Sequence, residues 1–144
     1  MNTHIGEADP SLAATIEAEL LASLRAALPQ GENSSFVLAA RDPEESLTGG
    51  LTASTSYGWL LIKTLWVDEG QRHNGIGRQL MHCAEQKGRS LGCHAAWLDT
   101  SSPDALGFYE ALGYEVFGQL ENGAGEFPES HRRWFLRKSL CKDD

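Results

Sequence analysis

Apolar residues recur every fourth position from Leu12 through Ile16, Leu20 and Leu24 to Leu28, with alanines at 13, 14, 18, 22, 26 and 27 between them. That period predicts an amphipathic helix ending at Pro29, with Asp9 as its cap and Pro10 in its first turn. Residues 30–33 read as a loop. The pattern then shortens to that of strands. Residues 36–40 form an apolar run, and residues 42–46, with Pro43, read as the turn after it. Residues 47–57 are rich in Thr, Ser and Gly and predict a second strand with a bend or bulge at Gly49 and Gly50. Gly58 turns the chain into a third strand, Trp59–Val67. Such short links make the three strands antiparallel neighbours.

A helical period returns with Ile76, Leu80, Ala84, Gly88 and Leu91, and the helix is expected to end near Gly92. Residues 93–98 follow as a strand with Asp99 at its end. Pro103 and Asp104 open a helix that runs to Leu112 and stops at Gly113. Residues 114–118 read as a strand, 121–130 as a long loop, and 134–140, alternating apolar and charged, as the last strand. Residues 1–10 have no period and are expected to be loosely held, and the tail at 142–144 is expected to be solvated. Strands and helices mixed in this order predict an α+β (mixed α/β) fold around one central sheet. A length of 144 residues suits a single domain spanning 1–144.

Composition narrows the class of function. The net charge of −8 argues against a nucleic-acid binder, which needs a basic face. Positive residues still gather locally, at Arg72 and Arg78 and again at Arg132, Arg133, Arg137 and Lys138. An acidic body with a basic loop suits an anionic cofactor and a cationic second substrate. No apolar run is long enough to cross a bilayer and no signal-peptide pattern opens the chain, so a cytoplasmic protein without a membrane partner is expected. Cys83, Cys93 and Cys141 have no metal spacing, and Cys83, beside the apolar stripe, reads as a small core residue. No two histidines stand four apart, so no metal site is expected.

The candidate chemistry starts at Arg72-His73-Asn74-Gly75-Ile76-Gly77-Arg78, between the third strand and the helix after it. A strand, a glycine turn and a helix in that order aim free backbone N–H groups and the positive end of the helix dipole at one point, where a phosphate is well held. Leu80 stands where a dinucleotide fingerprint needs its third glycine, and the Gly-Lys-Ser/Thr of a nucleotide-hydrolase loop is absent.

What remains, Arg-x-x-Gly-x-Gly after a strand, resembles the acyl-CoA pyrophosphate loop of the GNAT family of N-acetyltransferases. Two further stretches carry the resemblance. Leu65-Trp66-Val67-Asp68-Glu69 is similar to the end of that family's fourth strand, and the run from Ala105 to Tyr114 is similar to its later helix-and-turn signature. The resemblance covers roughly residues 47–140. It implies a mixed, mostly antiparallel sheet of about six to seven strands flanked by helices, opening between the strand that ends at Val67 and the one that ends near Asp99. Acetyl-CoA, as co-substrate, would lie in that opening. Its pantetheine arm would bond the backbone of Leu65, Trp66 and Val67, and its pyrophosphate would take the N–H groups of His73, Asn74, Gly75, Ile76, Gly77 and Arg78, with Arg72 beside them. Tyr109 matches the tyrosine that protonates the leaving thiolate. Oxyanion stabilisation would come from a backbone N–H at the end of the 65–67 segment.

The chain departs from the family pattern in two places. Many relatives carry a glutamate within the fourth strand, whereas residues 59–67 hold no carboxylate, only Lys63. Acceptor-side candidates are therefore Asp68 and Glu69 at the strand end, Glu126, Glu129 and His131 in the late loop, and a water chain. Where many relatives carry an asparagine, Ser102 stands, with fewer hydrogen-bonding groups for the cofactor. The reading implied is a cytoplasmic N-acetyltransferase acting on a primary amine of a small molecule such as an amino sugar or polyamine, and in second place on a protein amine. The family often forms dimers, so a homodimer is within this expectation. The missing strand carboxylate leaves a rival open, a non-catalytic acyl-CoA-binding or regulatory domain. Tyr109 speaks against it.

Overall fold

The computed structural model describes residues 2–28 and 33–141. The expected helix end at Pro29, most of the loop at 30–33 and the tail at 142–144 lie outside the described residues. The chain divides into two compact units, Met1–Gly31 and Glu32–Asp144.

The first unit holds one helix, α1 (Leu12–Ala27), in which Leu12, Ile16, Leu20 and Leu24 recur at the expected spacing. It begins later than the sequence suggests. Asp9 closes a turn ahead of the helix, accepting the Ser11 N–H on Oδ1 at 2.8 Å and the Leu12 N–H on its carbonyl at 2.9 Å, and Ser11 is the cap residue.

The second unit contains β1 (Ser35–Arg41), β2 (Leu47–Ser56), β3 (Trp59–Val67), α2 (Ile76–Ser90), β4 (Ala95–Thr100), α3 (Pro103–Ala111), β5 (Glu115–Glu121) and β6 (Arg132–Ser139), with one turn of 3₁₀ helix at Glu69–Gln71. They form a six-stranded sheet in the order β1-β2-β3-β4-β6-β5. Every pairing is antiparallel except β3 with β4. The expected hairpin chain β1-β2-β3 is present, and the sheet is mixed as expected.

Two strands are displaced from their predicted bounds for the same reason: their first residues finish the preceding helix. Cys93 N–H closes α2 on the carbonyl of Gly88 (2.9 Å), so β4 begins at Ala95 rather than at Cys93. Tyr114 N–H closes α3 on the carbonyl of Tyr109 (3.1 Å), so β5 begins at Glu115. Helix-ending bonds of this kind satisfy carbonyls that the last turn leaves free.

The core lies between the sheet and α2 and α3, with Leu51, Leu60, Met81, Leu98, Leu136 and Leu140 fully buried. Each such leucine contributes roughly 1.5–3 kcal/mol of burial. Two glycines let α2 and the sheet approach. A Cβ on Gly88 would stand 2.9 Å from Leu60 Cδ2, and one on Gly49 would stand 3.0 Å from the Trp66 carbonyl oxygen and 3.1 Å from Ile76 Cγ2. The predicted irregularity near Gly49 is a register shift that leaves Thr48 unpaired between Leu47 and Gly49. A second shift, in β3, makes Lys63 an extra residue between Ile62 and Thr64.

The face of α2 differs from expectation at two positions. Cys83 is exposed, not a core residue, because Leu80, Met81, Ala84 and Gly88 turn inward. Glu85, which the apolar pattern did not single out, is buried. Its carboxylate accepts the Tyr114 hydroxyl at 2.9 Å and the Lys138 ammonium at 2.8 Å. Burying a carboxylate is tolerated where such partners surround it.

Candidate active site

The sheet parts where the site is expected. β3 pairs with β4 only from Trp59 opposite Ala95 to Leu61 opposite Trp97. Beyond that pair, β3 continues to Val67 beside β2, and β4 continues to Thr100 beside β6. The extra residue Lys63 sits at the start of the divergence, and a bulge bends and twists the strand that carries it. The edge of β3 that includes Leu65, Trp66 and Val67 therefore borders a gap. Trp66 is half exposed, as a residue on an uncovered strand end would be.

The glycine loop closes one end of that gap. Asp68 N–H is fixed to the Thr48 carbonyl (2.8 Å), Glu69–Gln71 makes its short turn, and His73 and Gly75 take positive φ values of 73° and 80° before α2 begins at Ile76. Glycine takes such a φ without the Cβ clash that penalises other residues. Among the described residues, no acceptor is recorded for the backbone N–H groups of His73, Asn74, Gly75, Ile76, Gly77 and Arg78; the first bonded amide is that of Gln79, on the Gly75 carbonyl at 3.0 Å. A Cβ on Gly75 would meet nothing within 4 Å, so open space lies against the loop there. Unpaired donors, a helix N-terminus and open space are together the features that an anion cradle requires.

The cradle's flanks have other duties. Arg72 donates from Nε to the Val67 carbonyl (3.3 Å), tying the loop to the end of β3. The Asn74 side chain donates to Gln71 Oε1 (3.1 Å). Gly77 differs from the reading of it as pure anion space: a Cβ there would lie 3.3 Å from Phe108 Cζ and 3.6 Å from Val67 Cγ2, so its bareness also seats α2 against α3. A groove of about 640 Å³ runs from Arg78 along α2 past Met81 and Glu85 to Leu112 and Lys138; Tyr109 does not line it.

Tyr109 is buried in α3, with its ring edge-on to Phe108 (centroids 5.2 Å apart) and to Tyr114 (6.0 Å). Among the described residues its hydroxyl has no hydrogen-bond partner. Burial first, and the negative charge of Asp99 second, push its pKa above the usual tyrosine value. The phenol therefore holds its proton at neutral pH. Ser102 caps α3, its Oγ accepting the Ala105 N–H at 3.2 Å, so that oxygen is engaged in the fold.

The acceptor-side candidates separate. Asp68 and Glu69 lie exposed at the end of β3. Glu126 and Glu129 brace their own loop, accepting the N–H groups of Gly123 and Gly125. His131 alone reaches the end of β4, with Nε2 3.0 Å from Ser101 Oγ. Not anticipated from sequence is Asp99, whose Oδ1 takes both Nε (3.0 Å) and Nη2 (2.8 Å) of Arg133. The strand order that brings β6 beside β4 was the missing signal. Among the described residues no group of His, Cys, Asp and Glu is placed to hold a metal ion, and no helix is long and apolar enough to cross a membrane.

Comparison with known proteins decides the family. The sequence model of the acetyltransferase (GNAT) family matches residues 7–114. The chain belongs to the GNAT family. It is 35% identical to an acetyltransferase of Agrobacterium fabrum over 113 residues, covering 78% of this chain and 82% of that one. It is 38% identical to the blasticidin-S acetyltransferase of Streptomyces morookaense over 75 residues, 51% of this chain and 55% of that relative. The crystal structure of a Bacillus cereus acetyltransferase superposes with a TM-score of 0.84 at 28% identity, covering 95% of this chain and 97% of the other. In this GNAT acetyltransferase, β3, α2 and α3 meet beside the loop, where a Cβ on Gly77 would lie 3.3 Å from Phe108 Cζ and 3.6 Å from Val67 Cγ2.

Proposed function

We propose that this acetyltransferase moves the acetyl group of acetyl-CoA to a primary amine of a small molecule. The observation that supports the reading is the run of unpaired amides at 73–78 directly after a β3 end that β4 leaves uncovered; the buried Tyr109 hydroxyl without a partner agrees with it. The relative named for blasticidin S points the same way for the size of the acceptor. Acceptors of the amino-sugar or polyamine kind come first, a protein amine second. The chain is taken as one catalytic domain.

The cradle fits a pyrophosphate, since its amides are unpaired and the space against Gly75 is open. Arg78 adds charge at the same helix start, and beyond Leu61 the edge of β3 that faces away from β2 is unpaired and can bond a pantetheine arm as an added strand would. Acetyl-CoA supplies an activated thioester carbonyl and a thiolate leaving group. The amine nitrogen forms its bond to the carbonyl carbon as the carbon–sulfur bond breaks. A backbone N–H on the free edge of β3 stabilises the oxygen charge that develops. Tyr109 gives the sulfur its proton, the proton that the nitrogen sheds on becoming an amide restores the phenol, and the raised pKa keeps the phenol protonated until the thiolate is there to take its proton. The ammonium's own proton must leave first, through His131 or water at the mouth of the gap.

Thiol release from acetyl-CoA, followed across an amino sugar, a polyamine, blasticidin S and a peptide amine, tests the reading. Release that depends on one of the small amines supports it. Release with the peptide alone moves the acceptor to proteins. CoA binding without release for any amine supports the non-catalytic rival.

A further inference from the structure

The acceptor side of the gap carries a carboxylate with one oxygen left over. On β4, Ala96 and Leu98 turn into the core at 0% and 1% exposure, so Asp99 points to the opposite face of the sheet. It lies past the last β3–β4 pair, on the stretch of β4 that borders the gap. Its side chain is 28% exposed; Arg133 donates from Nε to Oδ1 at 3.0 Å, and its Nη2 lies 2.8 Å from the same oxygen. A guanidinium fork usually gives one N–H to each carboxylate oxygen. Here, among the described residues, Oδ2 has no recorded partner.

Asp99 also bears electrostatically on Tyr109. Its charge is felt at the Tyr109 hydroxyl, which comes from the core side of the sheet. Farther along the same strand end, Ser101 holds His131. The other carboxylates of the late loop are turned to their own backbone, and β3 offers none.

We infer that Asp99 binds the acceptor, its free Oδ2 taking an N–H of the amine, while Arg133 is a positioning residue that holds Oδ1 and so aims Oδ2 into the gap. The acceptor class is then a cationic amine presented from the face of the sheet opposite the core, with no requirement for a carboxylate on β3. This inference rests on the amine-acetylation reading above.

The test is steady-state kinetics of Asp99→Asn with the same amines. The asparagine keeps the shape and an oxygen for Arg133 but loses the charge. A hydrogen bond to a charged group is worth enough that the amine KM should rise roughly tenfold or more, while the acetyl-CoA KM and the melting temperature stay at wild-type values. Arg133→Lys, which keeps the charge without the fork, should raise the amine KM by less. An ion pair that only braced β4 against β6 would move the melting temperature and leave the amine KM alone. A wild-type amine KM in a folded Asp99→Asn enzyme overturns the inference while the acetylation reading stands. A wild-type enzyme that acetylates no amine overturns both. Should Asp99→Asn fail to fold, Asp99→Glu keeps the charge and displaces the oxygen by a methylene: a raised amine KM supports the assignment and an unchanged one removes it.

Discussion

Gly77 in α2 faces Phe108 in α3 so closely that a Cβ at position 77 would come within 3.3 Å of Phe108 Cζ. The cradle and the helix carrying the proposed acid, Tyr109, are therefore seated by one contact. Gly77→Val forces that contact apart and should cost about 1–3 kcal/mol of stability, the usual penalty of overpacking. A fall in melting temperature, together with weaker CoA binding by calorimetry, would bear this out. An unchanged melting temperature would mean that α2 and α3 do not press on one another there.

Gly75 separates the anion site from the packing. Its Cβ would meet open space, but its φ is +80°. Gly75→Ala should cost roughly 1 kcal/mol for the left-handed backbone, and Gly75→Val should in addition place a side chain where the pyrophosphate is proposed to sit. CoA affinity should drop severely in the Val variant while the variant remains folded. Calorimetry with CoA and with dephospho-CoA reads this directly, and equal affinity in the wild type and Gly75→Val would remove the loop from the binding site.

Tyr109→Phe keeps the ring contacts with Phe108 and Tyr114 and removes only the hydroxyl. Because that hydroxyl bonds nothing among the described residues, stability should barely change. If it protonates the leaving sulfur, kcat should fall roughly 10²-fold or more, with CoA affinity held. A Phe variant with near-normal kcat, under conditions where chemistry limits the rate, would take Tyr109 out of the mechanism.

The buried Tyr114 makes a prediction about pH. Burial, first, and then the neighbouring Glu85 carboxylate push its pKa far above the usual tyrosine value. The folded state thus keeps a proton that the unfolded chain gives up near pH ~10. Stability from this source is full below that pH and is lost as pH rises beyond it. Tyr109, raised for its own reasons, acts in the same direction. Thermal melts should show a decline setting in above pH ~10, and Tyr114→Phe should make that decline shallower. A Phe variant with the wild-type alkaline slope would contradict this.

Much of this could be read in the chain because local rules agreed with tertiary ones. The glycine loop, the α3 start at Pro103 and the hairpins around Asp42 and Gly58 are set by backbone chemistry within a few residues, and they appear where expected. The site features that escaped depend on which strands become neighbours. Arg133 reaches Asp99, and His131 reaches Ser101, only because β6 enters the sheet beside β4. Glu85 escaped for a related reason: its partners, Tyr114 and Lys138, come from the link after α3 and from β6 respectively, and no helical period announces them. Cys83 faces solvent rather than the core because a stripe of small residues leaves the facing of its neighbours open by one position.

The most direct test of acetyl transfer to a small-molecule amine is a mass balance on the wild-type enzyme. Acetyl-CoA and a panel of amines including blasticidin S are incubated with it, and free CoA thiol and acetylated amine are both quantified by mass spectrometry. One acetylated amine is expected for each thiol released, for at least one small cationic amine. Thiol release without an acetylated amine, or CoA binding with neither product, would contradict it.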